Sequence, residues 1–110
     1  MNKQHKALSV ERWRQFSLCE QMANIGSEVI RALKWREKGN QDLSQKASAR
    51  ALELLDLSLD AADTFPRIRE YARLREVVVD YFYGSNQFRS SNALWQGYFN
   101  HFNFAARKHR

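Results

Sequence analysis

Three histidines and one cysteine are the side chains best suited to chemistry: His5, His101, His109 and Cys19. A metal ion needs ligands that converge, which on a helix means residues three or four apart on one face. No two histidines keep that spacing, no Cys-x-x-Cys occurs, and the Glu-x-x-His pairs that hold di-iron centres in helical bundles are missing. A cysteine nucleophile needs a base beside it. Cys19 instead falls on or near an apolar helix face, where a small thiol serves packing. No arginine stands about a turn ahead of His101 or His109, the arrangement of some helical-bundle ribonucleases, and no glycine-rich phosphate loop is present. The expectation is a protein that is not an enzyme, with no cofactor, no metal and no evident small-molecule substrate.

Charge is the stronger signal. The chain has 110 residues and a formal net charge of +6. Residues 17–106 carry as many acidic as basic side chains, eleven of each, so the excess sits at the two ends. Lys3, Lys6, Arg12 and Arg14 against Glu11 make one end positive; Arg107, Lys108 and Arg110 make the other so. Such ends can neutralise phosphates and release counterions, or simply keep a small protein soluble. Both readings stay open. The chain divides accordingly into a basic N-terminal arm (1–16), a helical bundle (17–106) and a basic tail (107–110). The length suits one domain with a core of its own. No run approaches the roughly 18 apolar residues of a membrane-spanning helix, and the polar start lacks the apolar middle of a secretion signal. A cytoplasmic location with no membrane partner is expected.

The elements that must position these residues read as helices. Residues 1–15 show no clean period, although Trp13 and Phe16 could fold back onto the body. Ser17 and Glu20 have capping-box spacing, and an apolar stripe from Leu18 through Met22, Ile25, Val29, Ala32, Leu33 and Arg36 predicts a helix over 17–38 that Gly39 ends. Asn40 caps a second, 41–62, on Leu43, Ala47, Ala51, Leu54, Leu55, Ser58 and Ala62. Thr64 and Pro66 start a third, 66–83, with Ile68, Tyr71, Ala72, Val78, Val79 and Phe82 on one face; Leu74, Val77 and Tyr81 broaden it, and Gly84 ends it. A polar loop holding Phe88 leads to a short aromatic helix, 92–107, capped by Ser91 or Asn92. Short connections imply antiparallel neighbours, so the fold class is all-α, an up-and-down four-helix bundle.

On these helices three features invite a functional reading. Arg50 and Arg75 lie within apolar stripes; a buried guanidinium demands a carboxylate, with Glu28 and Glu53 the candidate partners, whereas at a rim the stem packs and the head reaches water. Asn24, Glu28, Arg31 and Trp35 make a second stripe, either a contact surface rich in hot-spot residue types or a face covered by the last helix. The aromatics of Trp95 to Phe104 serve the core, self-association or base stacking. Phe104 and Phe88 fit the core least and are interface candidates.

The runs Glu20-Gln21-Met22-Ala23-Asn24-Ile25-Gly26-Ser27-Glu28-Val29 with Arg31-Ala32, Trp35 and Lys38-Gly39-Asn40, Arg50-Ala51-Leu52-Glu53-Leu54-Leu55-Asp56-Leu57, and Arg73-Leu74-Arg75-Glu76-Val77 resemble a set of small uncharacterised bacterial proteins with no established activity. In size, helix number and basicity the chain also resembles the 23S ribosomal RNA intervening-sequence proteins and the accessory variability proteins of diversity-generating retroelements. That resemblance implies a four-helix bundle, often a ring-shaped homopentamer, whose retroelement members bind a reverse transcriptase and RNA. The Asn-Ile-Ala-Glu-Gly stretch usual in that group is echoed only by Asn24-Ile25-Gly26-Ser27-Glu28, and no site residue carries over. The leading expectation is thus a homo-oligomeric binding protein that engages RNA or a protein–RNA assembly through basic termini and rim arginines. The alternative is a protein-binding or antitoxin-like module that does not touch nucleic acid.

Overall fold

The computed structural model describes residues 10–108 of the chain, with side chains from 10 to 105. It is 82% helix with no strand among those residues. Five helices follow one another: α1 (Val10–Arg14), α2 (Leu18–Glu37), α3 (Gln41–Ala61), α4 (Phe65–Tyr83) and α5 (Asn92–Lys108). None is long and apolar enough to cross a membrane.

Local chemistry explains most boundaries. The Ser17 hydroxyl accepts the Glu20 N–H at 3.1 Å while the Glu20 carboxylate accepts the Ser17 N–H at 2.9 Å, a closed capping box at the start of α2. At the other end Gly39 takes φ 79°. Its N–H reaches the Arg36 carbonyl at 3.0 Å and that of Asn40 reaches Trp35 at 2.9 Å. These two bonds are a Schellman ending, which calls for the left-handed residue glycine supplies. Asn40 then caps α3 by accepting the Leu43 N–H at 3.0 Å, and the Ser91 hydroxyl accepts that of Leu94 at 3.2 Å to open α5. Gly84 does end α4, but in extended backbone (φ −112°, ψ −155°). The turn there is held by Asp80, whose carbonyl accepts from Gly84 and Asn86. Its carboxylate accepts the Gln87 and Phe88 N–H groups at 2.8 and 3.0 Å.

α2 and α3 form the most extensive pairing. Ser44, Ala47, Ser48, Ala51, Ser58 and Ala61 are the small buried residues of α3; they let the helix backbones approach. The Ser44 hydroxyl even reaches across to the Ala32 carbonyl at 2.9 Å. Side-chain pairs between α2 and α3 (Ala32 with Ser44, Glu28 with Arg50), between α3 and α4 (Ser48 with Tyr83, Asp56 with Arg75) and between α2 and α5 (Glu37 with Asn92, Gly26 with Phe99) each run in opposite order along the two chains. Where α2 meets α5, a Cβ on Gly26 would lie 2.5 Å from the Phe99 ring. Only a glycine lets that fully buried ring seat there.

Two sequence expectations need correction. The arm assigned to 1–16 is not all arm: Val10–Arg14 is helical and Trp13 is 1% exposed. A five-residue helix is too short to show a period, and tertiary burial is what holds it. Its indole N–H donates to the Ser58 hydroxyl at 2.8 Å, which in turn donates to the Leu54 carbonyl at 2.7 Å. Gln21 donates to the Trp13 carbonyl at 2.8 Å and accepts from the Tyr71 hydroxyl. This buried polar junction ties α1, α2, α3 and α4 together. The second correction concerns faces. The buried face of α4 is Tyr71, Leu74 and Val78, whereas Ile68 is 39% exposed and Ala72 is exposed. Arg36, read as part of the α2 stripe, lies outside; it donates to the Tyr81 carbonyl at 3.2 Å with its guanidinium over the Tyr81 ring.

Candidate functional site

The charged side chains singled out from the sequence are mostly engaged. Arg14 pairs with Glu11 and donates to the Ala61 carbonyl at 3.1 Å. Arg12 lies exposed on α1. Lys3, Lys6 and Arg110 fall outside the described residues. Arg107 and Lys108 belong to the last turn of α5, their side chains outside the described set. Arg75 pairs with Asp56 at 2.7 Å, not with Glu28 or Glu53, and both groups are well exposed. Such a surface pair contributes little, about 0–1 kcal/mol.

Arg50 belongs to a tighter arrangement. Its Nε lies 3.2 Å from Glu28 Oε1, and Arg31 Nη1 lies 3.1 Å from the same oxygen. The Glu28 side chain is only 13% exposed. One carboxylate thus serves two guanidiniums, leaving one positive charge in excess across the α2–α3 face. The expected stripe Asn24, Glu28, Arg31 and Trp35 is therefore divided. Glu28 turns to α3, Arg31 turns toward α5, and Trp35 is half-buried with the Lys38 ammonium 5.3 Å from its ring centre.

Arg31 stands on an open groove of about 350 Å³ between α2 and α5. Ser27, Ile30 and Lys34 line the α2 wall with it; Gln96, Asn100 and Asn103 line the other. The two walls are helical ridges, residues three or four apart pointing the same way. Among the described residues no carboxylate lines the groove, and the α5 sequence contains no Asp or Glu. The Lys34 ammonium makes no ion pair among the described residues. Cations on one wall face side-chain amides, each both donor and acceptor, on the other. Sequence reasoning found Arg31 but missed Lys34 and the three amides. Their signal was the spacing Gln96, Asn100, Asn103, hidden by the aromatics between them.

Phe88 and Phe104 are 58% and 63% exposed. They lie at separate places, one on the α4–α5 loop and one near the end of α5. Among the described residues no group of three or more His, Cys, Asp or Glu is placed to hold a metal ion. Cys19 is half-buried. No family model matches the chain, and neither a curated protein nor a solved structure is significantly similar to it.

Proposed function

We propose that this protein is a non-enzymatic RNA-binding domain that grips the sugar–phosphate backbone in the α2–α5 groove. Its four long helices are taken to form an up-and-down bundle. The observation that carries this reading is a groove with Arg31 and Lys34 on one wall, Gln96, Asn100 and Asn103 on the other, and no carboxylate. Cations supply affinity for phosphates, while amides can bond base edges and 2′-hydroxyls. The basic residues Lys3, Lys6, Arg107, Lys108 and Arg110 add charge at the chain ends and broaden the contact. Self-association through Phe88 or Phe104 would multiply weak contacts by raising effective concentration. The likeness to the retroelement accessory group adds the finer reading that RNA is met as part of an assembly with a reverse transcriptase.

The test is binding of a fluorescent single-stranded RNA followed by anisotropy. Three or four phosphate contacts predict an affinity loss of roughly 10- to 50-fold between 50 and 200 mM salt. Lys34→Glu with Arg31→Glu should weaken binding further and flatten that slope, as should exchanging the five terminal cations for glutamine. Truncation at residue 12 is a poor test, because it cuts into α1. A salt response near zero would reject the proposal.

One observation favours a second reading. Phe65, Phe88 and Leu94 are 69%, 58% and 63% exposed, which suits a protein partner in the manner of an antitoxin-like module. Co-purified protein that survives nuclease treatment, with no RNA affinity, would favour it.

A further inference from the structure

One face of α4 is left uncovered by the other described helices. The buried side of α4 is Tyr71, Leu74 and Val78, and Arg75 turns to Asp56 on α3. On the outer side Phe65, Arg69, Ala72 and Glu76 stand four, three and four residues apart, and all four are exposed. That spacing keeps them on one stripe, the repeat found where two helices pack along their length. Phe65 is 69% exposed, and Phe88, on the loop beyond α4, is 58% exposed. Between Pro66 and Phe88 the face is hollowed by a concavity of about 710 Å³, with Ala72 in its lining. The concavity shares Glu70 and Arg73 with a second hollow, between α4 and α5, that reaches Trp95.

Charge limits what can lie on this face. With a net charge of +6, copies of the chain repel one another in general. The α2–α5 groove, lined by Arg31 and Lys34, would add to that repulsion. The α4 concavity is lined instead by two guanidiniums, Arg69 and Arg73, and two carboxylates, Glu70 and Glu76, so its charges cancel. Neither Arg69 nor Glu76 makes an ion pair among the described residues. They stand seven residues apart, whereas partners on one helix stand three or four apart. A two-fold axis passing between Ala72 and Arg73 would set Arg69 of each copy opposite Glu76 of the other.

We infer that α4 docks antiparallel on α4 of a second copy of this chain about that two-fold axis. Two Arg69–Glu76 pairs form across the contact, and Ala72 lets the helices approach at the crossing. Phe65 lies opposite Asp80 of the second copy, whose carboxylate holds the Phe88 N–H. The two exposed aromatics thus meet at each end. Such a contact is isologous and closes on two copies. α4 has 19 residues and is about 28 Å long. One helix face of that length buries less than a large permanent interface does, so the dimer is weak and concentration-dependent. The inference goes beyond the RNA reading and uses no residue of the groove, so either can fail alone.

Sedimentation velocity on the full chain, nuclease-treated and run from micromolar to millimolar concentration, tests it. The wild type should pass from monomer to dimer. Arg69→Glu and Glu76→Arg should each weaken association by about tenfold or more, because like charges then face each other across the axis. An equimolar mixture of the two variants should dimerise again, since every Glu then meets an Arg. Ala72→Arg, which sets a bulky charge at the axis of an exposed helix face, should also leave monomers; circular dichroism checks that each variant keeps its helices. Lys34→Glu should leave the dimer unchanged. A wild type that stays monomeric or forms a larger ring, single variants that dimerise as well as it does, or folded variants that fail to dimerise when mixed would overturn the assignment. RNA binding lost while the dimer persists would reject the groove alone.

Discussion

The chain buries two tryptophans to nearly the same depth, Trp13 at 1% and Trp95 at 4% exposure, and treats their indole N–H groups in opposite ways. Trp13 donates to Ser58 at 2.8 Å within a junction where Gln21 and Tyr71 complete one another's bonds. Trp95 stacks on Phe99 and meets Tyr81 edge-on, yet its N–H has no partner among the described residues. Buried polar groups are rigid and specifying when fully satisfied, and costly when not. The first region behaves as a rivet holding a short helix to three long ones. The second has polar capacity to spare and a cavity beside it.

The strongest way to break that contrast is to remove the rivet. Trp13→Ala should cost about 3–5 kcal/mol through the lost packing of a large buried ring, seen as a lower urea midpoint at similar slope. Gly26→Ala should follow at about 1–3 kcal/mol, because the new methyl meets the buried Phe99 ring, overriding the gain alanine ordinarily brings to a helix. Tyr71→Phe should cost about 1–3 kcal/mol by leaving the Gln21 carbonyl oxygen unpaired. Smallest of all, Trp95→Phe should cost about 1 kcal/mol, since the smaller ring gives up some packing while the deleted donor had nothing to donate to. A large loss there would mean the two tryptophans are alike after all.

Alkali sharpens the same comparison. Burial pushes the Tyr71 hydroxyl up to about 12, against a lowering influence from nearby Arg67 and Ser58. A folded-state pKa above the unfolded value of about 10 means the folded protein holds its proton longer. The associated stability is complete below about pH 10 and is lost as pH rises toward about 12. Urea midpoints across that range should fall more steeply in the wild type than in Tyr71→Phe; parallel curves would remove Tyr71 from the account.

Where short-range rules act, the fold was legible. Ser17 with Glu20, Gly39 and Asn40 each announce a cap that involves neighbours within a few residues, and the structure has those caps. α1 was not legible, because what holds Trp13 is Ser58, 45 residues away. The face of α4 was misjudged for a related reason: Ile68 and Leu74 are equally apolar, and only the placement of the neighbouring helices decides which is covered. Of the candidate site, Arg31 was visible as a polar residue on a helix. Lys34, Gln96, Asn100 and Asn103 become a site only once α5 lies along α2, and that pairing depends on Gly26 and Phe99, a contact with no local signature.

The way α5 is held has a consequence for how the molecule opens. It packs extensively on α2, where the ring of Phe99 seats against Gly26, but only through a few side chains on α4. An element fastened along one flank should release its amide protons to deuterium as a block, earlier than α2 and α3. The proposed RNA groove has α5 as one wall. Whatever occupies it should therefore slow that release, so the last helix would report occupancy by its exchange rate.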